Sequence, residues 1–275
     1  MADELPEYAK TQLAFHRAFG RDLLQGVRGA ALPRRGTVLD VPAGDGFYTT
    51  LLARRLAPHG RVVAADVSPA YLVRARERVA KHAKLAPVEF READAYNLPF
   101  DDASFDAVWC AESLISLSDA VKALKEMRRV VKPGGAVLVL EADEFHHVIL
   151  NWPVSLELAI NRAIAAATKA EYGTAVALSP ARKVRAWLAE AGLVTGPKRT
   201  IAADRVAPFG PRLRRFLRYR FAEMRATIAP HLSPEELAAF DVAIDRRHPD
   251  SILQRPDAEL TCLTSLFLAR RPGSA

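Results

Sequence analysis

Short apolar runs alternate with segments of helical periodicity along most of this chain. The runs typical of buried strands are residues 38–41, 61–65, 88–91, 104–108, 136–141, 198–203 and 262–269. Apolar residues recur at helical spacing in residues 7–27, 49–56, 69–84, 117–131, 153–169 and 179–191. Strands that alternate with helices at this spacing predict an α/β fold with a mainly parallel sheet.

The first strand is followed by a glycine turn and then by a helix. Gly44 and Gly46 would let the backbone approach a ligand closely, and the helix start offers unpaired N–H groups. Twenty residues after Gly46, the second strand ends at Asp66, whose carboxylate could accept both hydroxyls of a ribose. The two signals together predict a nucleotide-like ligand at the carboxyl ends of these strands.

The glycine turn differs from the dinucleotide fingerprint, which needs G-x-G-x-x-G. Residues 40–46 read DVPAGDG and resemble motif I of the class I S-adenosylmethionine-dependent methyltransferases, D-x-G-x-G-x-G. Three further segments resemble that family in the expected order: residues 62–68, 92–108 and 124–141. Pro42 stands where the family usually has its first glycine, so the turn must work without that N–H donor.

The resemblance implies a Rossmann-like, doubly wound, seven-stranded sheet with an antiparallel last strand. Residues 208–256 separate the last two predicted strands and are far too long for a hairpin loop. We expect them to form a helical lid insertion over the ligand crevice. The predicted organisation is an N-terminal cap helix (1–30), a methyltransferase core (31–207 and 257–275) and a lid (208–256).

The resemblance also implies the cofactor S-adenosyl-L-methionine and a set of residues that contact it. Asp66 would bind the ribose, Val67 would pack on the adenine, and Asp45 could reach the cofactor's amino group. Asp40 could equally fix the turn by bonding backbone N–H groups. The expected contact residues are Asp40, Ala43, Gly44, Asp45, Gly46, Asp66, Val67, Asp94, Ala95, Cys110, Ala111 and Glu112.

Three histidines are candidates for a general base. His146 and His147 follow the fifth strand, at the carboxyl edge where ligands of open α/β sheets bind. His16 lies on the N-terminal helix, which often covers the cofactor in enzymes of this family. The alternatives are that these side chains line loops or the core, and that a partly ionised acceptor needs no base.

The sequence indicates only the general class of the methyl acceptor. Residues 110–113 read CAES, where many amino-methylases of the family have Asn-Pro-Pro-Tyr. This difference favours an oxygen or carbon of a small molecule, with nitrogen kept as an alternative, and an aromatic natural product or metabolite is one such acceptor. The alternatives are an RNA methyltransferase that uses a basic helix, and a regulatory protein that binds the cofactor without transferring its methyl group.

The formal charge of +7 is concentrated in residues 205–225, where six arginines follow Arg205 and Glu223 is the lone acid. Apolar residues recur there at helical spacing, which predicts an amphipathic helix. Its arginines could form a solvated face, bind an acidic substrate, or contact nucleic acid or a membrane surface. The two cysteines lack the spacing of a metal site, which predicts a metal-free enzyme. The N-terminus is unlike a signal peptide and there is no long apolar run, so we expect a cytoplasmic protein with no membrane span.

Overall fold

The computed structural model describes residues 5–6, 8–143, 145–172 and 179–273. The N-terminal residues 1–4, used above for the signal-peptide expectation, and Glu7 of the predicted cap helix lie outside these ranges. The helices are α1 Ala9–Arg28, α2 Phe47–Leu56, α3 Pro69–Ala80, α4 Ala120–Val130, α5 Val154–Tyr172, α6 Val184–Glu190, α7 Pro211–Ile228 and α8 Pro234–Ile244. The strands are β1 Gly36–Asp40, β2 Gly60–Asp66, β3 Val88–Glu92, β4 Phe105–Ala111, β5 Val131–Glu141, β6 Val148–Leu150, β7 Val194–Val206 and β8 Glu259–Arg270.

One sheet contains all eight of these strands, in the order β3-β2-β1-β4-β5-β8-β6, with β7 paired to β8. The strands β1 to β5 are parallel, and β8 runs antiparallel to β5, which confirms the predicted fold class. The seven predicted strands are present, and β6 is an additional one. Its three residues pair antiparallel with β8, and a run of three is too short to stand out as a strand pattern.

Successive strand residues bury alternate sides of the sheet, as a side-chain period of two requires. Val38 of β1 joins the core under α1, α2 and α7, whereas Leu39 joins the core under α4 and α6. Both faces are therefore covered, which is why the parallel strands read as continuous apolar runs rather than as alternating ones.

The arginine-rich segment forms the predicted amphipathic helix, α7, between β7 and β8. Its apolar face is buried against α1, where the Phe216 ring lies 5.6 Å from Phe15 and 5.7 Å from Phe19. A second core joins α5 to α8 through residues such as Leu156, Ile160 and Phe240. The helical layer is therefore larger than the predicted insertion, because α5 precedes residue 208. Within the described ranges, none of the helices combines the length and the apolar character needed to cross a membrane.

The turn between β1 and α2 is fixed by a buried hydrogen bond. The Thr49 hydroxyl donates to Asp40 Oδ2 at 2.5 Å, and Asp40 is only 1% exposed. Burial raises the pKa of Asp40 to about 8, although the Thr49 hydrogen bond acts in the opposite direction. Of the two roles considered for Asp40, this geometry favours the structural one.

The raised pKa of Asp40 predicts a pH-dependent contribution to stability. Between its ordinary pKa of 3.8 and about 8, the folded protein keeps a proton that the unfolded chain has lost. Stability should therefore fall as the pH rises through this window, by at most about 1.4 kcal/mol per pH unit for one group. Asn cannot lose a proton here, so Asp40→Asn should gain stability relative to the wild type as the pH rises. Urea unfolding from pH 5 to pH 8 measures this difference, and parallel curves for the two proteins would contradict it.

Candidate active site

The carboxyl ends of β1 and β2 are joined by the side chain of Asp66. The backbone N–H of Gly44 donates to Asp66 Oδ2 at 2.8 Å, and the N–H of Ser68 donates to Oδ1 at 2.9 Å. The residue is 5% exposed, and burial raises its pKa while these backbone hydrogen bonds act to lower it. The sequence indicated the glycine turn and the acid at the end of the second strand as separate signals. In the structure a hydrogen bond joins them.

The two glycines of the turn serve different purposes. Gly44 has φ +53°, and a Cβ built on it would meet nothing within 4 Å. Gly46 has φ +76°, but a Cβ there would lie 2.7 Å from the Cα of Ala75 on α3. Gly46 therefore allows α3 to pack against the turn, whereas the space above Gly44 is open to a ligand.

The residues at this edge fit an adenosine group. A carboxylate has about four lone-pair sites, so Asp66 keeps acceptor capacity beyond its two backbone partners. Val67 follows it with 65% of its surface exposed, which suits an apolar support for a base. Asp94 is also exposed, at the end of β3, and its Oδ1 accepts the N–H of Tyr96 at 2.9 Å. The neighbouring Ala95 is buried.

Three predicted contact residues have other partners. Asp45 is ion-paired with Arg78 of α3 and accepts the N–H of Phe47 at 3.1 Å, so its carboxylate holds the turn on α3. The Ala43 N–H donates to the Ala65 carbonyl at 2.8 Å. Cys110 lies inside β4, not beyond it, and its fully buried thiol, whose pKa burial raises, packs in the core on the α4 side.

A buried polar cluster lies where β4 ends at Ala111. The next residue, Glu112, has φ +53°, and its carboxylate contacts two helices. Oε2 lies 3.0 Å from His16 Nε2 on α1, and Oε1 accepts the Tyr48 hydroxyl of α2 at 2.5 Å. Burial alone would raise the pKa of Glu112, but its contact with His16 and the Tyr48 hydrogen bond lower it. Glu112 is therefore an ionised carboxylate.

The contact with Glu112 orients the imidazole of His16. An ionised carboxylate only accepts hydrogen bonds, so His16 Nε2 carries the proton. The ring is 5% exposed and stacks on Phe47 with centroids 3.9 Å apart. Within the described part of the chain, His16 Nδ1 has no hydrogen-bond partner. In the neutral imidazole this nitrogen has a free lone pair.

The other two candidate histidines lie in different environments. The ring of His147 packs edge-on against Phe15 at 4.9 Å, and its charge contributes to lowering the pKa of Glu112. The side chain of His146 is 60% exposed, and its Nδ1 lies 3.2 Å from Asp143 Oδ2. The structure thus brings His16 and His147 towards Glu112 and separates His146 from them.

Tyr48 is the site residue that the sequence reading missed. It lies in the first turn of α2, directly after the glycine turn, and that position was the available signal. Burial and the neighbouring Glu112 raise the pKa of Tyr48, so its hydroxyl stays protonated and donates. Among the described residues, no group of three His, Cys, Asp or Glu side chains is arranged to hold a metal ion.

Comparison with known families supports the reading of residues 40–112. A family model described as a methyltransferase domain matches residues 38–135. The chain is similar to the ubiquinone/menaquinone biosynthesis C-methyltransferase UbiE of Idiomarina loihiensis, at 43% identity over 43% of this chain and 47% of that protein. The corresponding protein of Hahella chejuensis is 39% identical over 47% of this chain and 51% of its own length. The chain thus spans about half the length of the curated relatives it matches.

Solved structures resemble the chain over most of its length. A putative methyltransferase from Bacillus halodurans has a TM-score of 0.54 at 20% identity, with 91% of this chain and 97% of that chain covered. The [4+2]-cyclase SpnF has a TM-score of 0.56 at 21% identity, with 97% and 94% covered. At these identities the likeness concerns the fold.

The matched segment contains the glycine turn, Asp66, Asp94 and Glu112, and the sheet around it has the order and direction that the family resemblance implies. The cofactor of that family is S-adenosyl-L-methionine, and the residues at the Gly44–Asp66 edge fit its adenosine portion. The chain therefore contains a class I S-adenosylmethionine-dependent methyltransferase domain at residues 38–135.

Proposed function

We propose that the whole chain transfers a methyl group from S-adenosylmethionine to a carbon or oxygen of a small-molecule acceptor. The observation that carries the proposal is the Gly44–Asp66 unit, with open space over a glycine next to a buried carboxylate that keeps acceptor capacity. When bound, the cofactor supplies an activated methyl group on a sulfonium sulfur, and the protein's part is alignment and removal of water. In this proposal Asp66 holds the ribose, and Val67 and Asp94 hold the adenine.

His16 is the side chain that we assign to proton removal. Glu112 fixes its tautomer through Nε2, and Nδ1 is left to accept a proton from a phenol or similar acceptor. Ionisation of a phenol makes both its oxygen and the ring carbons beside it nucleophilic. Tyr48 keeps the Glu112 charge compensated while the proton moves, because its hydroxyl donates to the same carboxylate.

The acceptor class is drawn from the relatives. They are named for carbon methylation in ubiquinone and menaquinone biosynthesis, so a reduced aromatic precursor of a quinone is the first acceptor to test. We retain residues 208–256 as a lid over the acceptor. Its helix α7 packs on α1, the helix that carries His16.

The ribose assignment can be tested by truncating Asp66. Asp66→Ala removes two hydrogen bonds from a charged acceptor to the ribose hydroxyls, so affinity for S-adenosylhomocysteine should fall at least about tenfold. Asp45→Ala is the matched control, because it removes the same group from the same turn but one that faces Arg78. Calorimetric titration, with circular dichroism to verify folding, measures both. Unchanged affinity in a folded Asp66→Ala protein would exclude this role.

The base assignment can be tested with His16→Gln. The amide can still donate to Glu112, but it cannot take up a proton, so turnover should fall by about a hundredfold to ten-thousandfold. Cofactor affinity should change little. The measurement is release of S-adenosylhomocysteine, over a range of pH, with reduced demethylated precursors of ubiquinone and menaquinone as acceptors.

His146→Gln is the control, because that exposed side chain pairs with Asp143 and should leave turnover unchanged. If His147→Gln removes turnover and His16→Gln does not, the base is His147. A protein that binds the cofactor but turns over none of these acceptors would contradict the proposed acceptor class.

A further inference from the structure

A cleft between α1 and α7 has a wall of arginines. It measures about 710 Å³ and is lined by His16, Arg17, Ala18, Gly20, Arg21, Arg205 and Arg212. Of these four guanidinium groups only that of Arg205 has a carboxylate partner, Asp22, among the described residues. Arg17, Arg21 and Arg212 are exposed to solvent. The cleft therefore concentrates positive charge, most of which no carboxylate of the described ranges neutralises.

Arg205 is held in place from two sides. Its guanidinium contacts Asp22 Oδ2 at 2.5 Å and lies 5.2 Å from the ring centre of Phe19. A fixed cation at the base of a concave surface differs from a freely solvated arginine, because its position is set before a ligand arrives. This arrangement distinguishes the cleft from the outer face of α7, where Arg214 and Arg215 are simply exposed.

The start of α7 also lacks the features that normally stabilise a helix N-terminus. Its N-cap, Gly210, provides no side-chain hydrogen bond, and the first turn contains no acidic residue. Arg212 lies in that turn, although cations are unfavourable at the positive end of a helix dipole. An anion bound between this turn and the arginines of α1 would accept hydrogen bonds from the uncapped N–H groups and would offset the unfavourable position of Arg212.

Two small residues line the cleft near the candidate base, His16. Ala18 and Gly20 line it, and a Cβ on Gly20 would make only ordinary contact, at 3.5 Å, with the Phe47 ring. The packing around Gly20 thus has room for a Cβ. His16 lines the same cleft and has the buried Nδ1 without a partner.

We propose that this cleft binds the anionic group, a carboxylate or a phosphate, of the methyl acceptor, so that the acceptor lies against His16. The proposal rests on the proposed function, and it predicts that an acceptor with a carboxylate or phosphate group is methylated in preference to the uncharged quinol precursors. Every residue that lines the cleft lies outside residues 38–135, the segment that matches the methyltransferase-domain model. Acceptor recognition by this chain can therefore differ from that of the relatives while the cofactor site is shared.

The test is calorimetric titration of inorganic phosphate and of benzoate into the full-length protein. At least one of the two anions should bind saturably. Arg21→Ala and Arg212→Ala should each weaken this binding at least about tenfold, because each removes charge-assisted hydrogen bonds. Arg214→Ala is the matched control on the same helix but outside the cleft, and it should change the affinity by less than about twofold.

Saturable binding by neither anion, or equal weakening by Arg214→Ala and Arg212→Ala, would overturn the proposal. Salt-dependent binding of single-stranded RNA, or of phosphatidylglycerol vesicles, that free phosphate and benzoate do not displace would also overturn it, in favour of a macromolecular or lipid partner. The same variants titrated with S-adenosylhomocysteine should bind as the wild type does. A wild type that binds S-adenosylhomocysteine but neither anion refutes the cleft alone, whereas a wild type that does not bind S-adenosylhomocysteine refutes the proposed function.

Discussion

The partial burial of one negative charge, that of Glu112, whose side chain is 16% exposed, organises the part of this molecule where ligands are expected. A carboxylate removed from water is costly unless hydrogen bonds and opposite charge compensate it. Here the compensation comes from His16 on α1 and Tyr48 on α2, so the end of β4 can hold its charge only when both helices are in place. The aromatic contacts of Phe216 then join α7 to α1. The helical layer is thereby tied to the sheet through the same side chain that orients the candidate base.

The two halves of the site arise from different parts of the chain. The residues proposed to hold the cofactor lie close together in the sequence. The glycine turn, Asp66, Val67 and Asp94 all follow strands inside the segment that matches the methyltransferase domain. The proposed acceptor half is built by α1 and α7, which lie on either side of that segment. A shared cofactor site with separately built acceptor walls is how one fold supports different substrates, and function must be argued from the site.

Much of the fold could be predicted because its signals are local. Ser68 and Ser233 each stand before a proline at the start of a helix and accept a backbone N–H in its first turn, and Ser233 completes a capping box with Glu236. Strand β6 was missed because three residues carry too little pattern. The ion pair of Asp45 could not be predicted, because its partner, Arg78, lies a helix away and no periodicity reveals such a pair.

The Glu112 cluster shows the same limit more clearly. His16 lies 96 positions and Tyr48 lies 64 positions from Glu112 along the chain, so the sequence could nominate each residue by its place but not their contact. His146 and His147 are adjacent in sequence and could not be told apart by pattern. Packing separates them, because one side chain is exposed beside Asp143 while the other packs against Phe15.

The most direct test of this account is a crystal structure of the protein with S-adenosylhomocysteine. The account predicts both ribose hydroxyls within hydrogen-bond distance of the Asp66 carboxylate, the backbone of Gly44 against the ligand, and the sulfur on the side of Glu112 and His16. A ligand bound away from the Gly44–Asp66 edge, or one whose sulfur lies far from Glu112, would contradict it.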